Sequence, residues 1–179
     1  MSKRVRLIPL QCPRCSTPVA AQPDEVAWVC AQCGQGMLLS DEEGVQRLDV
    51  FFSRAIPSGK MGNPFWVARG VVRPQVRQTY QGDSSQEMNA WWAAPRLFYI
   101  PAFRLKIEES VALGVKYLLQ PVRMEPGSPA PFRPVVVSPE DLVPLAEFMV
   151  MNIEAERRDA LREFRFEIGL DSPQLWILP

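Results

Sequence analysis

The chain has 179 residues, 47% hydrophobic and 22% charged, with 20 Lys plus Arg against 20 Asp plus Glu. That balance is typical of a folded protein and exerts no general pull toward nucleic acid or an anionic membrane. Histidine is absent, which removes His-based nucleophile triads, the commonest general base and zinc chemistry with an imidazole ligand.

The length suits a small module followed by one domain of about 130 residues. Eighteen prolines are about twice the usual share and favour many short strands and loops over long helices. No run approaches eighteen apolar residues, and the basic start Met1-Ser2-Lys3-Arg4-Val5-Arg6 is not followed by an apolar signal segment. A cytoplasmic protein with reduced cysteines and no transmembrane segment is the expectation.

Cys12-Pro13-Arg14-Cys15 and Cys30-Ala31-Gln32-Cys33-Gly34 contain the only four cysteines, with fourteen residues between the pairs. Two thiolates separated by two residues reach one metal when the backbone between them curls into a knuckle, and two knuckles close a tetrahedron. The spacing predicts one structural zinc held by Cys12, Cys15, Cys30 and Cys33. Gly34 stands where the second knuckle needs a left-handed backbone; Ser16 holds that place in the first, at some strain. Residues 26–29 read as a short strand delivering Cys30, and Met37-Leu38-Leu39 as the return strand.

Other chemistries fit less of the pattern. A thioredoxin-like redox centre needs a single CxxC at a helix start, and disulfide frameworks belong to small secreted chains. Iron takes the same four ligands and stays open as an alternative. With all four positions filled by sulfur, no site is left for water or substrate.

The two knuckles resemble the zinc-ribbon (rubredoxin-like) superfamily over roughly residues 5–40. The resemblance implies a fold and a metal but no activity. Looser is a resemblance to bacterial proteins in which such a ribbon precedes an aromatic- and proline-rich domain.

The acidic turn Asp41-Glu42-Glu43-Gly44 reads as the hinge, giving a zinc ribbon at 1–44 and a β-rich domain at 45–179. Residues 48–52 read as a strand, ended by Pro57-Ser58-Gly59. A longer one follows over 64–73, broken at Pro74 and resumed over 76–80. Pro74 cannot donate to a ladder, so a sheet edge or bend is expected there. Trp91-Trp92 fall in loop-like sequence and are read as core plugs rather than an exposed anchor. Residues 96–107 read as a strand and 121–134 as a loop; over 110–119 Val111, Leu113, Val115, Tyr117 and Leu119 alternate as a strand would, while Val111, Leu118 and their neighbours fit a short amphipathic helix, the reading preferred of the two. Ser138-Pro139-Glu140-Asp141 is a helix start, with a capping hydroxyl, Pro at the first position and acids in the first turn. The periodic set Leu142, Leu145, Phe148, Met149, Asn152 and Ile153 carries that helix to about residue 157. Phe164, Phe166, Ile168 and Leu170 alternate with Arg165, Glu167 and Gly169 as a strand with one wet face. The runs 97–101 and 175–179 each put four large apolar residues before a proline, and Leu7-Ile8-Pro9 is a shorter version, an echo compatible with a duplicated β unit.

The fold class expected is therefore α+β, mainly β: a ribbon, then a β-rich domain with one or two helices, one near 139–157. Charge is uneven along it, with a basic middle (11 Lys and Arg against 6 acids over residues 49–137) and an acidic tail (4 against 9 over 138–179). On a regular strand Arg69, Arg73 and Arg77 point to one side, near Trp66, Phe65, Tyr80 and Lys60. Basic side chains among aromatics are what single-stranded nucleic acid needs; a solvated sheet face is the plainer alternative. No phosphate loop or acid/base pair stands out, and no catalytic residue is assigned. The functions expected are an adaptor or scaffold that binds another protein or a second copy of itself, with nucleic-acid binding and rubredoxin-like electron transfer as the alternatives.

Overall fold

The computed structural model describes residues 8–40 and 42–179; Leu7 of the proline echo and Asp41 of the acidic turn lie outside them. The chain is α+β and mainly β. Its first sheet is antiparallel, in the order β1 (Ala27–Val29), β2 (Gly36–Ser40), β3 (Gly44–Leu48). The first two are the strands expected around the second cysteine pair. The expected strand at 48–52 is split: Leu48 ends β3, and after Asp49 the chain enters the larger sheet as β4 (Val50–Phe52).

That sheet is organised by β5 (Asn63–Gln81), 19 residues long. Its first half is flanked by β6 (Arg96–Pro101) on one edge and β8 (Gln174–Leu178) on the other, while β4 pairs in parallel with the outer side of β8. Its second half pairs with β7 (Ala160–Leu170). Gly70 faces both Arg96 and Leu170, so β7 and β8 follow each other along the same edge. At the joint, Asp171 caps the break: its N–H donates to the Arg69 carbonyl at 3.0 Å and its carboxylate accepts from the Arg69 N–H at 2.7 Å. The two runs of the proline echo, 97–101 and 175–179, thus lie on opposite sides of one central strand.

Pro74 does not interrupt β5 but bulges it. The register slips by one residue between Pro74 and Val76, in the half of the strand that pairs with β7 alone, the setting in which a proline is tolerated.

Where both faces of the sheet are covered, the strands read as unbroken apolar runs. Trp66, Phe98, Ile100, Leu175 and Ile177 pack on one face, against Met149 and Val150 of α3 (Leu142–Ala155) and Val115 and Leu118 of α2 (Ile107–Leu119). Phe65, Val67, Tyr99, Trp176 and Leu178 pack on the other, against Phe51, Phe103 and Tyr117. Truncating any of the buried aromatics to Ala removes about 3–5 kcal/mol. β7, covered on one face only, keeps the alternation expected of it: Phe164, Phe166 and Ile168 inward, Arg165 and Glu167 out.

Two expectations are corrected. The tryptophans lie on a helix, α1 (Ser85–Trp92), not in a loop; Met88 and Trp92, one turn apart, are its buried anchors, and Trp92 stacks on Phe98 at 6.4 Å, as a core plug should. The strand expected to reach 107 stops at Pro101. From Ile107 the chain is helical, and the Glu109 carboxylate reaches back to accept from the Lys106 N–H at 3.3 Å, capping the helix start from one side.

The expected helix start at Ser138 forms as a 3-10 turn, Pro139–Asp141, whose Glu140 N–H donates to the Ser138 hydroxyl at 3.4 Å before α3 continues. The periodic set straddles the side of α3 turned to the core: Leu142 and Met149 are buried, and Leu145 and Ile153 pack against the core. Leu142, Ala146, Met149, Val150 and Glu154 are buried, whereas Phe148 is 57% exposed.

Residues 121–134 contain no helix or named strand, as expected, but their backbone is tied to the body. Gly127 N–H donates to Phe52 O at 2.7 Å, and Gly62 N–H to Pro131 O at 2.8 Å. The first sheet docks just beyond that segment and on the β6–α2 connection: Val26 N–H donates to Val135 O at 2.8 Å, and Asp24 pairs with Arg104.

Candidate metal centre

Each cysteine pair sits in a turn closed by its own backbone. In the first, Ser16 N–H donates to Cys12 O at 2.8 Å and Cys12 N–H to Thr17 O at 2.9 Å; in the second, Gly34 N–H donates to Cys30 O at 2.8 Å and Cys30 N–H to Gln35 O at 2.9 Å. The two turns are near copies, including the left-handed residue that follows the second cysteine: φ is +59° at Ser16 and +72° at Gly34. Strand β1 carries Cys30 into place, and Trp28 and Met37 pack beneath it with Leu10, Val19 and Val45 around the rim.

The turns bring the four sulfurs together. Cys12 Sγ lies 3.6 Å from Cys33 Sγ, Cys15 Sγ lies 3.6 Å from Cys30 Sγ, and all four fall within 4.8 Å of one another. Four sulfurs at about 2.3 Å from a central ion stand about 3.8 Å apart. The donor set, the spacing and the absence of any disulfide fit one tetrahedral metal ion. Cys12 and Cys30 are buried, Cys33 is half-buried and Cys15 faces solvent.

The thiols differ electrostatically. The Thr17 hydroxyl, 3.2 Å from the Cys15 sulfur, and then the Thr17 N–H hold the Cys15 thiol well below its ordinary value, at about 6. At Cys33 the Gln35 N–H favours the thiolate, yet burial and the neighbouring thiolates of Cys15, Cys12 and Cys30 outweigh it and push the thiol up to about 12. Negative charge already on the cluster holds the last proton, and a cation at the centre displaces it. Sulfur fills every tetrahedral position, so the arrangement binds and clamps an ion without exposing it to a reactant.

The residues read as a basic and aromatic surface are not brought together. Arg69 and Arg73 are exposed on the outer face of β5, but Trp66 is 0% exposed and its indole N–H donates to Val137 O at 2.8 Å. Phe65 is buried in the opposite core. The bulge at Gln75 turns Arg77 to the face where Phe164 lies, and its side chain is 4% exposed.

Arg77 enters a buried cluster that the sequence reading did not find. Its guanidinium donates to Glu154 at 2.6 Å and to both Asp159 oxygens at 2.7 and 2.9 Å. Glu154 also accepts from the Trp92 indole at 2.8 Å and from Arg157 at 2.7 and 2.8 Å; Asp159 accepts from the Ser84 N–H at 2.9 Å. One signal was available: Glu154 continues the one-turn steps of Leu142, Ala146 and Val150 on the buried face of α3, and a carboxylate there needs partners.

Comparison with protein-family models, curated proteins and solved structures finds no match in any of the three. No helix among the described residues is long and apolar enough to cross a membrane. Fold and site define a mixed α/β chain, mainly β, with a four-cysteine centre able to hold one metal ion.

Proposed function

We propose that the protein is an adaptor whose N-terminal ribbon is held rigid by one structural zinc ion and whose function is to bind another protein. The observation that carries the reading is the closed set of four sulfurs within 4.8 Å of one another, a donor set that suits zinc and leaves no coordination position for chemistry. Zinc binding, on the order of 10 kcal/mol, supplies what a core of about forty residues cannot. Beyond the ribbon, Phe148 at 57% and Met61 at 59% exposed leave apolar surface open to a partner.

The test has two readouts on the purified chain. Elemental analysis is expected to give one zinc per chain in a colourless protein; a red protein holding iron moves the reading to electron transfer, and no stoichiometric metal ends it. Affinity co-purification under native conditions is expected to retain a defined protein partner. A chain that retains none, and whose mass by light scattering is that of a monomer, ends the adaptor reading.

A further inference from the structure

Helix α3 is apolar on two sides. One side is the buried stripe; on the other, Pro144, Phe148, Met151 and Ala155 recur at steps of four, three and four residues and all are exposed. That is the spacing of a helix-packing seam, about 16 Å long, and among the described residues it stands exposed. A groove lies on each flank of the ridge made by Phe148 and Met151. Pro144, Glu147, Phe164 and Phe166 line the first, of about 540 Å³; Ile107, Glu108, Val111 and Asn152 line the second, of about 520 Å³. A ridge between two grooves accepts the side chains of a helix laid along it.

The charge around the ridge decides which helix. From Ser138 to Glu156 the chain carries Glu140, Asp141, Glu147 and Glu156, besides the buried Glu154 that Arg77 and Arg157 neutralise, and neither lysine nor arginine. Glu147 borders one groove and Glu108 the other. The cation at the first groove, Arg165, is engaged by Glu163 at 2.9 Å. A second copy of the chain, packed ridge to ridge, sets these carboxylates against each other. A helix with apolar residues on one side and lysines or arginines on the other meets both the apolar floor and the acidic rim.

We infer that the Phe148–Met151 ridge is the docking site for a basic amphipathic helix of another protein. The inference rests on the adaptor reading and names its surface. Phe148 is the anchor, and Met151, flexible and polarisable, adapts to the side chains that enter beside it. Glu108 and Glu147 set the orientation and speed encounter.

The test uses the full chain and a labelled amphipathic peptide of about 18 residues, long enough to span the ridge, with leucines at helical spacing and lysines elsewhere. The comparison peptide has glutamates in place of the lysines. Fluorescence anisotropy at low salt is expected to show saturable binding of the lysine peptide and none of the glutamate peptide. Phe148→Ser weakens binding about 30-fold, and Glu108→Gln with Glu147→Gln weakens it a few-fold and flattens its salt dependence. These side chains are on the surface, so the variants are expected to keep their metal content and melting temperature. Absent binding, binding of both peptides alike, or binding that Phe148→Ser leaves unchanged overturns the inference. So does a dimer that Phe148→Ser dissociates, because a second copy then covers the ridge. If a co-purifying partner is retained equally by the Phe148→Ser variant, this surface is wrong while the adaptor reading stands.

Discussion

The Arg77 guanidinium lies 2.6 Å from the Glu154 carboxylate, with the two side chains 4% and 0% exposed. The contact joins β5 to α3 across 77 residues of chain, and Asp159 and Arg157 complete a cluster of two cations and two anions. Removing one member leaves a desolvated charge without its counterpart, which costs more than an intact pair contributes. Arg77→Met is therefore expected to destabilise the protein by about 3–5 kcal/mol, a fall in Tm of roughly 10 °C by calorimetry. Arg77→Met combined with Asp159→Asn recovers part of that loss, because the stranded carboxylate is gone. A single variant with unchanged Tm rules out a structural role for the cluster.

Asp159 gives the cluster a pH dependence. Burial alone raises its pKa, but the Arg77 hydrogen bonds and the Ser84 N–H outweigh burial and hold it below the ordinary carboxylate range. A depressed folded pKa means that the unfolded chain takes up the proton first. The stabilisation is fully present above about pH 4, the unfolded value, and is lost as pH falls further through the lower folded value. Tm measured from pH 6 to pH 3 is expected to fall less steeply at the acid end in Asp159→Asn than in the native sequence. Parallel curves contradict the assignment.

What the sequence discloses and what it hides divide along the range of the interaction. The cysteine knuckles are local, each set by a few consecutive residues, and the turns form with the left-handed Ser16 and Gly34 where the spacing puts them. Strand β7 alternates because only one of its faces is covered. The arginine face was misjudged because one bulge, imposed by the pairing of residues 70–81 with β7, inverts the side on which Arg77 emerges. Periodicity places the helix and four core-facing positions of α3, Leu142, Leu145, Met149 and Ile153, but takes in the exposed Phe148 with them. That helix is apolar on both sides, and only the assembled sheet decides that Met149 and Val150 go in while Phe148 stays out. The charge cluster depends on partners 77 and 82 residues apart, which no local pattern records.

Metal removal tests the first sheet separately from the second. Among the described residues, strands β1 to β3 enclose a small apolar cluster around Cys12, Trp28, Cys30 and Met37, too little to order about forty residues unaided. Chelation, or Cys30→Ser, is expected to expose Trp28 and the residue 8–40 backbone to rapid hydrogen exchange, while β5, β6 and β8 stay protected. Exchange that rises uniformly across both sheets means instead that the metal site and the larger sheet unfold as one unit.

The near identity of the two knuckles singles out one position. Both backbones turn left-handed after the second cysteine, at φ +59° for Ser16 and +72° for Gly34, yet only the second has the residue that adopts this conformation without its Cβ crowding the following carbonyl. Ser16→Gly removes that strain and is expected to stabilise the metal-bound protein by about 1 kcal/mol, offset in part by the greater freedom glycine gives the unfolded chain. Because the gain belongs to the knuckle, it appears as slower metal transfer to a competing chelator, with β5 exchange unchanged. The converse substitution, Gly34→Ser, introduces the same strain in the second knuckle and speeds that transfer. If Ser16→Gly leaves the transfer rate where it was, the left-handed turn at the first knuckle is not strained.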